Sequence, residues 1–158
     1  MKYYAVYDTN VLISALLTKQ PDSATAKVVD AIASQRVIPL YNHEILDEYD
    51  EVLHRPKFKF SEDRIQQLVS VIKKLGIAVS PTPTGEILPD MDDLVFYEVV
   101  MEKRNDDAYL ITGNIRHFPE REYIVTPTEM MAIIANSVSS ADADEYNEKT
   151  TEATEDIE

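Results

Sequence analysis

Four polar positions interrupt an otherwise apolar pattern in this chain. Asp8 follows the apolar run Tyr3–Tyr7, and Glu48 lies inside a helical pattern. Asp90, Asp92 and Asp93 crowd three acids into four residues, and Asn114 ends a second apolar run. Carboxylate and amide oxygens are hard donors of the kind that Mg²⁺ or Mn²⁺ takes.

The elements that must position these groups follow from periodicity. Apolar, β-rich runs fall at 3–7, 37–40, 77–79, 109–112 and 123–125. Helical patterns lie between them at 10–17, 24–34, 42–54, 61–75, 92–104 and near 127–137. Strands alternating with helices imply an α/β fold, with a mostly parallel sheet covered by helices on both faces. Asn42, Ser61, Asp90 and Thr126 are good helix N-caps, and Pro127 suits a first helical position. In open parallel sheets, sites form outside the carboxyl ends of the strands. Asp8 and Asn114 both fall there.

The acids are not equivalent. Asp8 or Thr9 could simply cap the next helix, but an acid in so apolar a setting needs a charge partner. In 42–54, Ile45, Leu46, Tyr49, Val52 and Leu53 make one apolar stripe. Glu48 borders that stripe, Glu44 lies further out, and Asp47 and Glu51 point away. Glu48 is therefore the acid expected to be half-buried. Asp90 can cap the helix after it, and first-turn acids favour the positive end of the helix dipole. A third acid is surplus to capping, and like charges packed so tightly await a cation. Asp93 is the expected ligand.

Composition narrows the alternatives. The chain has 158 residues, one domain's worth, and no cysteine, which excludes disulfides, thiolate zinc sites and cysteine nucleophiles. Three glycines cannot build a phosphate-cradling loop, so P-loop and dinucleotide-binding readings fail. No apolar run spans a bilayer, and the first residues read as a strand rather than a signal peptide, so a cytoplasmic protein is expected. The net charge is −14, but residues 139–158 hold eight acids against Lys149 alone. That gives a globular part at 1–138 and an acidic tail at 139–158 expected to stay disordered. His43, His54 and His117 show no paired metal spacing and read as surface groups. His54-Arg55-Pro56-Lys57-Phe58-Lys59-Phe60 mixes bases with aromatics, which suits either a nucleic-acid grip or two aromatic anchors of a loop.

Taken in order, Asp8-Thr9-Asn10, Ile45-Leu46-Asp47-Glu48-Tyr49, Val52 to Phe58, Pro89-Asp90-Met91-Asp92-Asp93 and Leu110-Ile111-Thr112-Gly113-Asn114 are familiar landmarks. Through them the chain resembles the PIN-domain superfamily, in the branch of toxin-antitoxin toxins related to VapC-type ribonucleases. The resemblance covers residues 3–128. It implies a PIN-like three-layer sandwich whose acidic quartet binds Mg²⁺ or Mn²⁺ and hydrolyses RNA. By position the quartet is Asp8, Glu48, Asp93 and residue 114, which is Asn where many relatives have Asp. Asp92 or Asp90 could supply the missing carboxylate. Asn10, Arg55, Lys57, Lys59 and Arg116 would contact RNA. A cognate antitoxin in the acidic cleft and a homodimer are further implied. The competing reading is a PIN-like module with weak or no catalysis that binds nucleic acid or protein, and Asn114 favours it. A phospho-acceptor receiver domain fits poorly, because Asp8 stands alone and the runs 77–79 and 123–125 lead to Ser80-Pro81 and Thr126-Pro127.

Overall fold

The computed structural model describes residues 2–137. The acidic tail at 139–158, and the boundary set at 138, lie outside the described residues. The order is β1 (Tyr3–Tyr7), α1 (Thr9–Leu17), α2 (Ala24–Ala33), β2 (Val37–Tyr41), α3 (His43–Leu53), α4 (Glu62–Leu75), β3 (Ile77–Ala78), α5 (Leu94–Glu102), β4 (Tyr109–Ile111), β5 (Ile124–Val125) and a sixth helix, α6, over 127–137. The strands form one sheet in the order β3-β2-β1-β4-β5, and every pairing is parallel. The result is a PIN-like α/β sandwich.

Burial shows why the strands read as unbroken apolar runs. Ala5, Val6 and Tyr7 are consecutive and all fully buried. Successive side chains in a strand point to opposite faces, so both faces of β1 are covered. Helix α5 packs on β1, β2 and β4, while α2 and α4 pack on β2. No helix among the described residues is long and apolar enough to cross a membrane.

The expected caps form. Asn42 Oδ1 accepts from the Ile45 N–H at 2.9 Å, and Ser61 Oγ accepts from Arg64 at 3.2 Å. Thr126 and Glu129 make a reciprocal capping box at the start of α6, at 3.1 and 2.9 Å. Several element ends differ from expectation. The helix expected at 92–104 is shorter: a 3-10 turn, Met91–Asp93, precedes α5, and another, Arg104–Asp106, follows it. The first is pinned by Asp90 Oδ1, which accepts from the Asp92 N–H at 3.0 Å. The last strands are also short. β3 pairs with β2 only at Leu40 and Tyr41, past Pro39, which has no N–H to give a ladder. Gly76 precedes β3 at a spot where a Cβ would come within 2.5 Å of the Pro39 carbonyl oxygen, so only glycine fits without a shift.

Two buried phenols tie helices to the end of β1. The Tyr7 hydroxyl donates to the Val28 carbonyl on α2 at 2.6 Å, and the Tyr49 hydroxyl of α3 donates to the Tyr7 carbonyl at 2.5 Å. Tyr49 neighbours Glu48, so this bond locates α3 against the residue preceding Asp8. Tyr49→Phe should therefore cost about 1–2 kcal/mol, read as a lower urea midpoint at unchanged m-value. A loss below about 0.5 kcal/mol would show that the hydroxyl does not tie the two elements.

Candidate active site

Strand order reverses direction at β1, with β2 on one side and β4, after a long crossover, on the other. Ligand sites of open parallel sheets lie at such switch points, outside the carboxyl ends of the strands. The register pairs Tyr7 with Ile111, so the next residues, Asp8 and Thr112, leave the sheet side by side. The Asp8 N–H continues the ladder to the Ile111 carbonyl at 2.9 Å.

Asp8 occupies the N-cap position of α1, yet its carboxylate makes no bond to the helix's second or third N–H. It is 6% exposed, and Oδ2 accepts from Thr112 Oγ1 at 2.7 Å and from Asn10 Nδ2 at 3.2 Å. Burial holds its pKa above the usual carboxylate range, opposed by the bonds from Thr112, Thr9 and Asn10 and by nearby His117. Asn10, an expected RNA contact, has both amide atoms engaged within the site. Its Oδ1 accepts from the Gly113 N–H at 3.1 Å, so it bridges Asp8 to the turn after β4.

The other acids converge from two helices. Glu48 is half-buried and Glu44 exposed, as the apolar stripe requires. Thr9 Oγ1 donates to Glu48 Oε2 at a long 3.4 Å. Burial raises the Glu48 pKa, and Glu51 and Asp8 add to the rise against Thr9 and Arg55. Asp93 is the N-cap residue of α5, but its side chain caps nothing and is only 17% exposed. Asp93 Oδ2 instead lies 3.2 Å from His117 Nδ1. Burial, then the charges of Asp8 and Asp90, push its pKa up to about 6, against the pull of His117. Asp90 and Asp92 are exposed, and Asp90 is occupied in capping. Asp92 faces a cavity of about 430 Å³ that Glu44, Glu48 and Glu98 also line. Among the described residues, no lysine or arginine forms an ion pair with Asp8, Glu48 or Asp93.

Asn114 is exposed, and its side chain caps nothing. Of the expected RNA contacts, Arg116 is exposed in the 3-10 turn Ile115–His117 beside the cluster. Arg55 is held by Glu51 through two bonds, at 2.9 and 3.2 Å. Lys57 lies over the Phe58 ring at 5.2 Å, and exposed Lys59 ends the turn in the left-handed region at φ 57°. Phe58 and Phe60 stack on each other with centroids 5.5 Å apart, Arg64 lies over Phe60, and Phe60 packs against the core. Phe60 is thus an anchor of the loop.

Sequence reasoning missed three residues: Thr112, Thr9 and His117. Thr112 is fully buried, and its signal was a polar residue at the end of an apolar strand. His117, read as a surface group, is instead a neighbour of Asp93 and Asp8. Nothing in its spacing marks it.

The donor set is all oxygen, which fits a hard divalent cation. Among the described residues, no group of three or more His, Asp or Glu stands close enough to hold a metal alone. Mg²⁺ keeps most of its waters and is commonly held by one or two carboxylates plus substrate phosphates. Without a cation the cluster opposes folding at neutral pH. The folded state binds the Asp93 proton more tightly than the unfolded chain, where Asp ionises near 3.8. Stability should therefore fall as pH rises from about 4 through about 6, then level off. In EDTA at pH 7.5, Asp93→Asn should melt above the parent, with the gap narrowing towards pH 4. A parent that melts as high as the variant at pH 7.5 would show that the cluster carries no such strain.

A family model described as PIN domain matches residues 4–116. No curated protein and no solved structure matches the chain. PIN domains in general are nucleases, hydrolases that use divalent metals and bind nucleic acid. The match runs from β1 through the turn that carries His117's neighbour Arg116, and so takes in Asp8, Glu48 and Asp93 together: the chain belongs to the PIN-domain family.

Proposed function

We propose that this protein is a Mg²⁺- or Mn²⁺-dependent endoribonuclease and the toxin of a toxin-antitoxin pair. The observation that carries the reading is the set of bonds at the switch point: buried Asp8 is held by Thr112 and Asn10, Glu48 is met by Thr9, and Asp93 by His117. Asp8, fixed by Thr112 and Asn10, is the central donor, with Asp93 beside it and Glu48 across on α3. A divalent cation bound there supplies an activated water and charge stabilisation for the leaving oxygen. Arg116, Lys57 and Lys59, which form no ion pair among the described residues, would hold phosphates, a contact without sequence information. The reading also carries a cytoplasmic setting, a homodimer, and a cognate antitoxin that covers the acidic cleft. These rest on the resemblance of the motifs to VapC-type proteins.

One observation favours a second reading, a PIN-like binding module with weak or no catalysis. Asn114 leaves the fourth position without a charge, and its side chain is exposed.

Cleavage of mixed RNA in EDTA, Mg²⁺ or Mn²⁺ separates the two. The nuclease reading expects metal-dependent cutting that Asp8→Asn and Glu48→Gln each reduce by at least about 100-fold, with melting curves showing both variants folded. No cutting under either metal, or full activity in Asp8→Asn, would sink it in favour of the binding module.

A further inference from the structure

Asn114 and His117 belong to one short turn beside Asp93. The backbone of Asn114 builds the turn: its N–H donates to Thr112 Oγ1 at 2.9 Å, and its carbonyl accepts from the His117 N–H at 3.0 Å. That turn delivers the His117 ring to Asp93, where Nδ1 stands 3.2 Å from Oδ2. An ionised carboxylate can only accept, so the hydrogen belongs on Nδ1. Among the described residues this is the one hydrogen bond the Asp93 side chain makes, since Asp93 does not cap α5. Without it, the half-buried carboxylate would be free to turn about its last side-chain torsion.

We propose that His117 is a positioning residue of the acid cluster, its Nδ1–H fixing the Asp93 carboxylate so that Oδ1 is left to ligate a divalent cation. His117 thereby acts through Asp93 rather than on the substrate. Groups that orient a metal's ligands in this way are commonly as necessary as the ligands themselves. The ring is 45% exposed on a short turn, so its loss removes little packing.

The inference rests on the metal-dependent reading, and the two fail differently. Mn²⁺ affinity would be measured by titration calorimetry on the parent, Asp8→Asn, His117→Ala, His117→Asn and His117→Gln, alongside RNA cleavage. An asparagine amide reaches about where Nδ1 lies, whereas a glutamine amide reaches towards Nε2. His117→Ala should weaken Mn²⁺ binding about 10- to 100-fold, His117→Asn should recover most of it, and His117→Gln should not. A purely structural role would not distinguish the two amides. If Asp8→Asn loses Mn²⁺ while His117→Ala keeps the parent's affinity, this proposal alone is overturned. Equal rescue by both amides overturns it as well. A parent that binds no Mn²⁺ overturns it together with the metal-dependent reading.

Discussion

An acid buried at the edge of a parallel sheet must be held by donors, and the bond from Thr112 to Asp8 meets that requirement here. It is short, at 2.7 Å, and both partners are buried. It exists because β1 and β4 are adjacent and in register, so that the residues following Tyr7 and Ile111 emerge together. A one-residue slip of β4 would send Thr112 to the other face and leave the carboxylate without its strongest donor. The same junction is closed a second time by Asn10, which grips Asp8 with one amide atom and the Gly113 N–H with the other. Helix α3 is then brought against this junction by Tyr49, whose hydroxyl bonds the carbonyl just before Asp8. Topology, register and two side-chain bridges together set where the acids stand.

What is built around Asp8 runs against stability. Burial raises the pKa of Asp8, Glu48 and Asp93, and the charges reinforce the effect in both neighbours of Asp8. Ion pairs with Lys or Arg are few among the described residues, Glu51 with Arg55 and Asp106 with Lys103, so most acids have no such partner. What sets Asp8, Glu48 and Asp93 apart is partial or full burial without one. A local cost of this kind is expected of a ligand-binding centre, and the packing of the rest of the domain offsets it.

The fold was legible because the signals were redundant. Each strand of the sheet was an apolar run, and Asn42, Ser61 and Thr126 cap the helices where expected. The edges of elements were less so: 3-10 turns replace both ends of the helix expected at 92–104, and β3 ends at Ala78. In the site, the stripe on α3 separated half-buried Glu48 from exposed Glu44, and capping arithmetic separated Asp93 from Asp90. Thr112 and His117 were hidden for a different reason. Their roles are pairings over 104 and 24 residues of chain, and such partners depend on strand order and register, which one sequence does not print. Asn10, which the resemblance gives as a contact, joins the same junction through both amide atoms.

Charge also constrains how a polyanion reaches this site. The chain is strongly acidic, and its three site carboxylates add to the repulsion at short range. The cations near them are of two kinds. Arg55 is neutralised by Glu51, while Arg116 is exposed in the turn next to His117. Interactions between exposed charges fade beyond about 8 Å at physiological salt. Attraction must therefore come from groups at the rim, close to the phosphates they hold, rather than from the protein's overall field. Arg116 is exposed in the turn that also carries His117. The backbone of Asn114, through its bonds to Thr112 and His117, thus sets the turn that carries both the histidine beside Asp93 and the exposed Arg116.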